Sequence, residues 1–209
     1  MKNSKVDRRI RRSKKLLKQS LISLLNEKKF SDITITDLVN RSDLNRSTFY
    51  AHFRDKEELL SCMIDELLNG MITSMTHDVS PTSKTSTQYG ITQHSSLQLF
   101  TYVSENSSFF KTLMNYHHVP NFSYRLSEAL YDFYLKKIKE EQDSSNQLNM
   151  NHGFFANYIA SIIVGFIHHW LVHTENKYNP DYIAKEFNKI FILNTDFSYL
   201  QPKRRHMQG

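Results

Sequence analysis

The sequence predicts an all-α protein of about nine helices, on three observations. Apolar residues recur at intervals of three, four and seven positions, a spacing that places them on one face of an α-helix. Several of these periodic stretches begin with residues that cap helices. No stretch alternates apolar and polar residues between hairpin signals. We therefore expect the apolar residues to be buried by packing between helices.

The N-terminal part of the chain predicts four amphipathic helices, which span about 7–28, 34–41, 45–53 and 55–78. Capping residues mark the starts of the last three. Thr34 and Asp37 form a capping pair for the second helix, and Asn45 is a suitable cap for the third. In the third helix Phe49 and Phe53 share one face, so both are expected in the core.

The C-terminal part follows a segment of loop composition, because 12 of the 24 residues from 73 to 96 are Ser or Thr. Helices are predicted beyond it at about 91–104, 107–117, 121–142, 153–174 and from residue 180 onward. The last helix has a strong start, with Asn179 as the cap, Pro180 at the first position and Asp181 in the first turn.

Positive charge is concentrated near the N-terminus. Residues 1–60 hold 15 Lys and Arg against 8 Asp and Glu, a net charge of +7, whereas residues 61–209 hold 12 against 13, a net charge of −1. From residue 8 to residue 18, seven of eleven positions are basic, which is enough to attract phosphates by counterion release. A solvated helix face that only keeps a protein soluble has the same composition, so the charge alone leaves both interpretations open.

The composition argues against several classes of protein. A single cysteine, Cys62, cannot form an intramolecular disulfide, which favours a reducing, cytoplasmic location. The basic N-terminus is not followed by an apolar segment, so a secretory signal is not expected. The apolar stretch 158–172 is shorter than the roughly 20 residues that span a membrane, so no membrane partner is predicted. Phosphate-binding glycine loops and common catalytic motifs are missing, so neither an enzyme nor a cofactor is predicted.

A metal site is considered for the histidines of the 153–174 segment. His169 and His173 lie one helical turn apart, which is a spacing that metal ligands use. No carboxylate is placed with them, and histidines on a helix more often hydrogen-bond or face solvent. No metal is therefore predicted.

The helices 34–41 and 45–53, separated by a three-residue turn, fit the helix-turn-helix plan, in which the second helix enters the major groove of DNA. The groove is about 12 Å wide and admits one helix, whose leading residues face the base edges. An arginine there can pair with guanine, and hydroxyl or ring side chains can reach bases or phosphates. The candidate DNA-contacting residues are Asn45, Arg46, Ser47, Thr48, Tyr50, His52 and Lys56.

The stretch 30–60, FSDITITDLVNRSDLNRSTFYAHFRDKEELL, resembles the tetracycline-repressor (TetR) family of bacterial regulators. Its most specific parts are 47–50, 52–53 and 55–59. The resemblance implies an obligate homodimer of all-α subunits, with an N-terminal three-helix reader and a larger C-terminal domain for ligand binding and dimerisation. By position it adds Thr34 and Thr36 to the candidate DNA contacts and places His52 and Lys56 on phosphates.

The resemblance implies a division of the chain into domains, and it also shows one position where the chain departs from the family pattern. The predicted parts are a helix-turn-helix DNA-binding domain over 1–54, a linking helix over 55–78, a regulatory and dimerisation domain over 79–200, and a basic tail over 201–209. Family members usually have glycine in the turn where this chain has Asp43. A positive φ is therefore expected at Asp43, a conformation that Asp adopts more easily than most residues.

The C-terminal half resembles a subset of the family less specifically, from Gly153 through Gly165 to Trp170. The resemblance implies that the last two long helices of each subunit form a four-helix dimer bundle. The expected interface residues are Ile159, Ile163, Phe166, Trp170, Phe187 and Phe191. The expected lining of a cavity for a small apolar or aromatic effector is Phe100, Phe110, Met114, Phe122, Leu126, Phe155 and Ile159. A monomer with one buried central helix, or a filled core, are the alternatives.

Two hypotheses of function follow. The first is a homodimeric transcriptional regulator, in most cases a repressor, that binds a palindromic operator in double-stranded DNA and is released by an effector. The second is a DNA-bound platform whose C-terminal domain binds a protein partner and no small ligand. An open cavity would favour the first hypothesis, and an exposed apolar patch beside a filled core would favour the second.

Overall fold

The computed structural model describes residues 2–76, 92–114, 121–142, 151–174 and 177–193, with the side chains of 2–7, 141–142 and 190–193 left out of the description. All regular structure in these ranges is helical, which confirms the predicted all-α class. The α-helices are α1 (Lys2–Leu25), α2 (Ile35–Ser42), α3 (Arg46–Tyr50), α4 (Lys56–Thr76), α5 (Gln93–Glu105), α6 (Ser107–Met114), α7 (Phe122–Gln142), α8 (His152–His168) and α9 (Pro180–Leu193). A 3₁₀ turn, Phe30–Asp32, precedes α2, and a π-helical turn, His169–His173, continues α8.

The helix boundaries differ from the predicted ones mainly at the ends. Helix α1 begins at Lys2 rather than near residue 7, because Arg and Lys are good helix formers and continue the helix beyond its apolar positions. Helix α3 ends at Tyr50, and the chain continues to Phe53 as a turn in which the Phe53 N–H donates to the Phe49 carbonyl at 2.9 Å. The predicted cap of α9 is confirmed, since the Asn179 side chain accepts from the Tyr182 N–H at 2.8 Å.

The chain divides into two compact units. The first comprises Met1–Asn69 and Ser108–Phe122, and the second comprises Gly70–Ser107 and Ser123–Gly209. The division falls inside α4 and assigns nearly all of α6 to the first unit. The sequence placed α6 in the C-terminal domain, because spacing along a chain does not show which unit a short helix packs against.

The first unit has its core along one face of α1. Leu17, Leu21 and Leu25 of α1 are buried at successive turns, and α1 packs against α2. Phe49 of α3 is fully buried beside Phe53, with ring centroids 6.0 Å apart. Each such apolar side chain contributes roughly 1.5–3 kcal/mol when it is removed from water. The five-residue helix α3 is therefore held by a side chain on its inner face, as the sequence predicted.

The second unit has an aromatic core. Phe100 of α5 contacts Phe166, Trp170 and Phe187, with ring centroids 6.4, 5.9 and 5.6 Å away. Helix α5 packs against α9. The indole N–H of Trp170 is satisfied in this core, because it donates to the Tyr178 carbonyl at 2.9 Å.

The continuous stretch His152–His173 is long and apolar enough to cross a membrane by length and composition, with a mean hydropathy of 1.4 over its most apolar part. The core helix of a water-soluble protein meets the same two conditions. In this protein one face of the stretch, including Ile159, Ile163 and Ile167, is buried within the second unit, so packing explains the apolar residues of that face.

Candidate nucleic-acid interface

Helix α2 is fixed at its start by the predicted capping pair. The Thr34 hydroxyl accepts from the Asp37 N–H at 3.2 Å, and the Asp37 carboxylate accepts from the Thr34 N–H at 2.8 Å. Lys28 donates to the same carboxylate at 2.8 Å. The Lys28 ammonium, together with the Thr34 bonds, holds the pKa of Asp37 well below its usual range. Thr34, a predicted DNA contact, is exposed but already serves as this cap.

The turn between α2 and α3 depends on Asp43. Its φ of 52° and ψ of 43° lie in the left-handed region, which confirms the positive φ expected there. The following N–H, of Leu44, donates to the Val39 carbonyl at 3.0 Å and closes the end of α2. Asp43 therefore adopts the left-handed conformation for which the family usually has glycine at this position. Unlike glycine, it adds a carboxylate to the turn.

Helix α3 presents polar side chains on every face except the one that holds Phe49. Arg46, Ser47 and Tyr50 are exposed, and 56% of the Tyr50 surface is open to solvent. Thr48 is half-buried. A short helix with a buried anchor and exposed arginine, hydroxyl and phenol groups matches the needs of a groove-reading element.

Arg46 links the two helices of the helix-turn-helix on their exposed side. Its guanidinium donates to the hydroxyl of Thr36 on α2, so two predicted DNA contacts lie together. Asn45 occupies the N-cap position of α3, as predicted, but its side chain makes no capping hydrogen bond. The Asn45 side-chain amide is exposed, and no capping hydrogen bond uses it.

His52 is turned toward α1. Its Nε2 lies 2.9 Å from the hydroxyl of Ser13, and both side chains are at least half-buried. The Ser13 hydroxyl also donates to the Arg9 carbonyl at 2.8 Å. The phosphate contact that the resemblance implies for His52 stays a prediction, and within the first unit the ring is hydrogen-bonded to Ser13.

Lys56 is also used within the first unit. Its ammonium donates to the carbonyls of Phe30, Ser31 and Ile33 at 2.8, 3.0 and 2.7 Å, and lies 4.8 Å from the Phe30 ring centroid. An ammonium has three protons, and all three are engaged. The sequence could not show this, because the three carbonyls belong to a turn more than twenty residues earlier in the chain.

Among the described side chains of the first unit, four cations pair with carboxylates, Lys28 with Asp37 among them, whereas several cations of α1, including Arg9 and Arg12, do not. Arg41 pairs with Glu27, Lys18 with Glu66, and Arg54 with Asp55. The guanidinium groups of Arg9 and Arg12 are exposed and make no hydrogen bond or ion pair to the described residues. Neither arginine is among the predicted DNA contacts, although both belong to the basic run from residue 8 to residue 18.

The residues predicted for the dimer interface lie mostly in the core of the single chain. Ile159, Ile163, Trp170 and Phe187 are buried inside the second unit of a single chain, so they have no surface to offer a partner subunit. Phe166 is half-buried against Phe187, with ring centroids 5.5 Å apart. The side chain of Phe191 lies outside the described residues. The high content of apolar residues in this segment reflects the core of the subunit. A subunit core and an obligate dimer interface have similar compositions, so the sequence alone does not distinguish them.

The exposed face of α8 and its π turn lies on the side of the helix away from the buried Ile159 and Ile163. It carries Phe154, Tyr158, Ser161, Gly165 and Val172, of which Phe154 is 76% exposed. A side chain added at Gly165 would meet nothing within 4 Å. This face therefore combines large apolar groups with a flat centre.

The residues predicted to line an effector cavity are buried but do not belong to one unit. Phe100, Leu126, Phe155 and Ile159 lie in the second unit, and Phe110, Met114 and Phe122 lie in the first. The Phe110 and Phe122 rings contact each other, with centroids 5.9 Å apart.

Within the described part of the chain, no group of three or more His, Cys, Asp or Glu side chains is arranged to hold a metal ion. The π turn nevertheless brings the ring of His173 to 5.4 Å from that of His168 and 5.5 Å from that of His169, measured between centroids. Cys62 is half-buried near Glu66, and burial raises the pKa of its thiol, which makes it a poor nucleophile.

A capped helix, a left-handed turn and a short exposed helix with arginine and hydroxyl groups define a helix-turn-helix DNA-binding protein. Comparison with known families agrees with this class. Residues 21–62 match the family described as bacterial regulatory proteins, tetR family, and residues 92–192 match the family described as a transcriptional regulator C-terminal region. The chain belongs to the TetR family of bacterial transcriptional regulators. Members of this family bind DNA, typically form dimers and are not enzymes.

Individual relatives extend the comparison. The uncharacterized HTH-type transcriptional regulator YxbF of Bacillus subtilis (strain 168) is 27% identical over 189 residues, which are 89% of this chain and 46% of that protein. The chain thus spans about half the length of this curated relative. A TetR transcriptional regulator from Streptococcus agalactiae 2603V has a similar fold, at a TM-score of 0.61 and 20% identity, covering 90% of this chain and 98% of the other.

Two further solved structures share the fold. A TetR-family regulator from Syntrophomonas wolfei has a TM-score of 0.71 at 16% identity, covering 88% of this chain and 96% of the other. The dihydroxyacetone kinase operon activator DhaS has a TM-score of 0.59 at 16% identity, covering 91% of this chain and 98% of the other. These likenesses concern the fold alone.

Proposed function

We propose that the protein is a cytoplasmic, homodimeric transcriptional repressor that binds a palindromic operator and is released by a small apolar or aromatic effector. The observation that carries the proposal is the exposed surface formed by α2 and α3, where Arg46 and Thr36 lie in contact beside Ser47 and Tyr50. Arginine supplies two parallel donors that match guanine O6 and N7, and each such pair discriminates against a wrong base by about 1–3 kcal/mol.

In this proposal the residues predicted to contact DNA divide into those that face the DNA and those that position the helix-turn-helix. Thr36, Asn45, Arg46, Ser47, Thr48 and Tyr50 face the DNA. Thr34, His52 and Lys56 fix the geometry of the reader, through the α2 cap, the bond to Ser13 and the three carbonyl bonds respectively. Positioning of this kind affects all sequences alike, because it changes how the reader is held and not which base it meets.

We infer that the dimer forms through the exposed face of α8. Phe154 and Tyr158 supply apolar area at one end, and Ser161 and Gly165 allow a partner helix to approach closely at the centre. Family members typically form dimers. A two-fold pair would present two copies of α3 to half-sites about 34 Å apart, or a multiple of that distance, and so require a near-palindromic operator.

Release by an effector is proposed as an allosteric effect. Such an effector would bind better to a conformation in which the two DNA-binding domains of the dimer are at the wrong separation for the operator. DNA affinity would then fall by the difference between the effector's binding free energies for the two conformations, typically about 1–3 kcal/mol. Phe100, Leu126, Phe155 and Ile159 are the proposed lining in the second unit, with Phe110, Met114 and Phe122 proposed for the first.

A second candidate function is favoured by one observation. Tyr178 and Tyr182 stack on each other with ring centroids 4.9 Å apart, and both are at least 40% exposed. Aromatic pairs on a surface are typical of protein interfaces. In this alternative the C-terminal unit binds a protein partner and no small ligand.

The test of the proposed function is the selection of bound duplexes from random DNA by the purified protein at two salt concentrations. Enrichment of a near-palindrome with half-sites about one helical turn apart is expected. Binding that is sensitive to salt but blind to sequence would overturn the proposal, because counterion release alone would explain it.

The dimer is tested separately by the molar mass in solution. Gly165→Trp places a bulky side chain in the centre of the α8 face and should produce a monomer, whereas Lys177→Trp, at another exposed position of the second unit, should leave the mass of a dimer unchanged. A dimeric Gly165→Trp variant would exclude this face as the interface.

A further inference from the structure

A cleft of about 510 Å³ lies in the first unit, between α1 and the turn that leads into α3. Its walls are formed by Arg9, Arg12, Ser13 and Leu16 on one side and by Ser42, Asp43, Leu44, Asn45 and Thr48 on the other. The volume is far larger than a water molecule, whose share of liquid volume is about 30 Å³. The cleft borders α3, whose Thr48 is part of its lining.

The α1 wall is a single helical face. Arg9, Arg12, Ser13 and Leu16 are spaced at i, i+3, i+4 and i+7, which aligns them along one side of the helix. The guanidinium groups of Arg9 and Arg12 make no hydrogen bond or ion pair to the described residues. Each therefore has its full set of donors available for an anion from outside the chain.

Ser13 and the opposite wall give the cleft a fixed shape and further donors. Ser13 is held by the Arg9 carbonyl and by His52, so it cannot turn to satisfy the arginines. Across from it, the Asn45 side chain is not used as a cap, and Thr48 carries a hydroxyl. The carboxylate of Asp43 is the one acidic group in the wall, against two guanidinium groups.

We propose that this cleft binds a phosphodiester of the DNA strand that runs alongside the recognition helix, with Arg9 and Arg12 supplying the charge and Thr48 a hydrogen bond. The proposal rests on the proposed function. A helix with its side chains is about 10–12 Å wide and nearly fills a major groove about 12 Å wide. The sugar–phosphate strands therefore pass directly beside α3, where the cleft lies. Guanidinium groups suit phosphate oxygens, because they donate two parallel hydrogen bonds.

The experiment measures affinity for the selected operator and for a random duplex at a series of salt concentrations, by fluorescence anisotropy. Arg9→Gln and Arg12→Gln should each weaken binding to both duplexes alike and reduce the slope of log affinity against log salt by about one. The matched control is Arg8→Gln, which removes the same charge from an exposed neighbour on the same helix that does not line the cleft. The control should leave the slope close to that of the wild type.

A double-mutant cycle tests whether the two walls hold the same phosphate. Thr48→Val removes the hydroxyl at similar volume, and its loss of affinity should be much smaller in an Arg12→Gln background than in the wild type. Fully additive losses would show that the two residues act at separate places and would overturn the proposal. Asp43→Asn, which keeps a residue tolerant of positive φ, should tighten binding to both duplexes.

Other outcomes separate this inference from the proposed function. If the wild type selects an operator but Arg8→Gln lowers the slope as much as Arg12→Gln, the charge acts diffusely and the cleft is not a site. If inorganic phosphate raises the melting temperature of the wild type but not of Arg9→Gln, while the DNA slopes of all variants agree, the cleft holds a free anion instead of DNA. Failure of the wild type to select any sequence would overturn the proposed function itself.

Discussion

The Nε2 atom of His52 lies 2.9 Å from the Ser13 hydroxyl and joins the end of the reader to α1. We predict that His52→Ala and Ser13→Ala each lower the free energy of unfolding by about 1 kcal/mol, the usual net value of such a bond. The double variant should lose little more than either single variant, because the two changes remove one shared interaction. Urea denaturation of the four proteins measures this.

The same variants distinguish positioning from direct contact. If His52 held a phosphate, His52→Ala would weaken DNA binding and Ser13→Ala, which leaves the imidazole in place, would not. We expect instead that both variants weaken binding by similar factors, since either one frees the ring from α1.

Lys56 ties the turn before α2 to the start of α4. Lys56→Met keeps most of the side-chain stem but removes the ammonium that binds three carbonyls. We expect a loss of about 1.5–3 kcal/mol in the free energy of unfolding, the range for hydrogen bonds to a charged group. Lys29→Met, at an exposed position on the same turn, is the control and should change stability by less than about 0.5 kcal/mol. Equal effects of the two variants would show that the carbonyl bonds contribute nothing.

The contacts of His52 and Lys56 could not be predicted from the sequence, in contrast to the local features of the same unit. The helices, the Thr34 cap and the buried Phe49 follow from local rules that join residues a few positions apart, and the structure confirms them. The positive φ of Asp43, which the structure also confirms, follows from the resemblance to a family that usually has glycine there. The partner of His52 is 39 positions away and the carbonyls bound by Lys56 are 23 to 26 positions away. No local pattern records such pairs, so both side chains looked available for DNA.

The apolar residues of α8 illustrate a second limit. Spacing along the helix correctly predicted a dense apolar segment, but Ile163 and Trp170 are buried in the subunit while Phe154 and Tyr158 face outward. Which apolar row meets another subunit depends on how α5 and α9 cover the helix, and periodicity alone does not contain that information.

Arg46 is predicted to carry sequence preference. Arg46→Ala should weaken binding to the selected operator by about 1–3 kcal/mol and relax the preference at one base pair, with a smaller effect on random DNA. Thr36→Val, which removes the hydroxyl that Arg46 contacts, should have a weaker effect of the same kind. Equal losses on operator and random DNA for Arg46→Ala would reduce this residue to a phosphate contact.

Asp37 makes the stability of the first unit depend on pH. Lys28 and the Thr34 cap hold the pKa of Asp37 below its usual range. A carboxyl with a lowered pKa stabilises the folded state at pH values above its unfolded pKa, about 3.9, and this contribution is lost as the pH falls toward the folded value. Wild type should therefore be more stable than Asp37→Asn at pH 7, and the difference should shrink below about pH 4.

The pH prediction is checked by urea denaturation of both proteins from pH 7 down to pH 3, with Asp32→Asn as the control for loss of one exposed carboxylate nearby. A difference between wild type and Asp37→Asn that stays constant across this range would mean that the ionised form of Asp37 is not what stabilises α2.

Gly70 of α4 is required by the close approach of Tyr102. A Cβ at position 70 would lie 2.2 Å from the Tyr102 hydroxyl oxygen and 2.8 Å from its Cζ, so Gly70→Ala forces the ring to move. We predict a loss of about 1–3 kcal/mol, as for other overpacked sites, although alanine is favoured over glycine in helices by about 1 kcal/mol. In a Tyr102→Ala background the collision is absent, and Gly70→Ala should then stabilise the protein. Urea denaturation of the four proteins measures this reversal of sign. A stabilising Gly70→Ala in the wild-type background would show that Tyr102 moves aside at little cost and that contact with this ring does not explain the glycine.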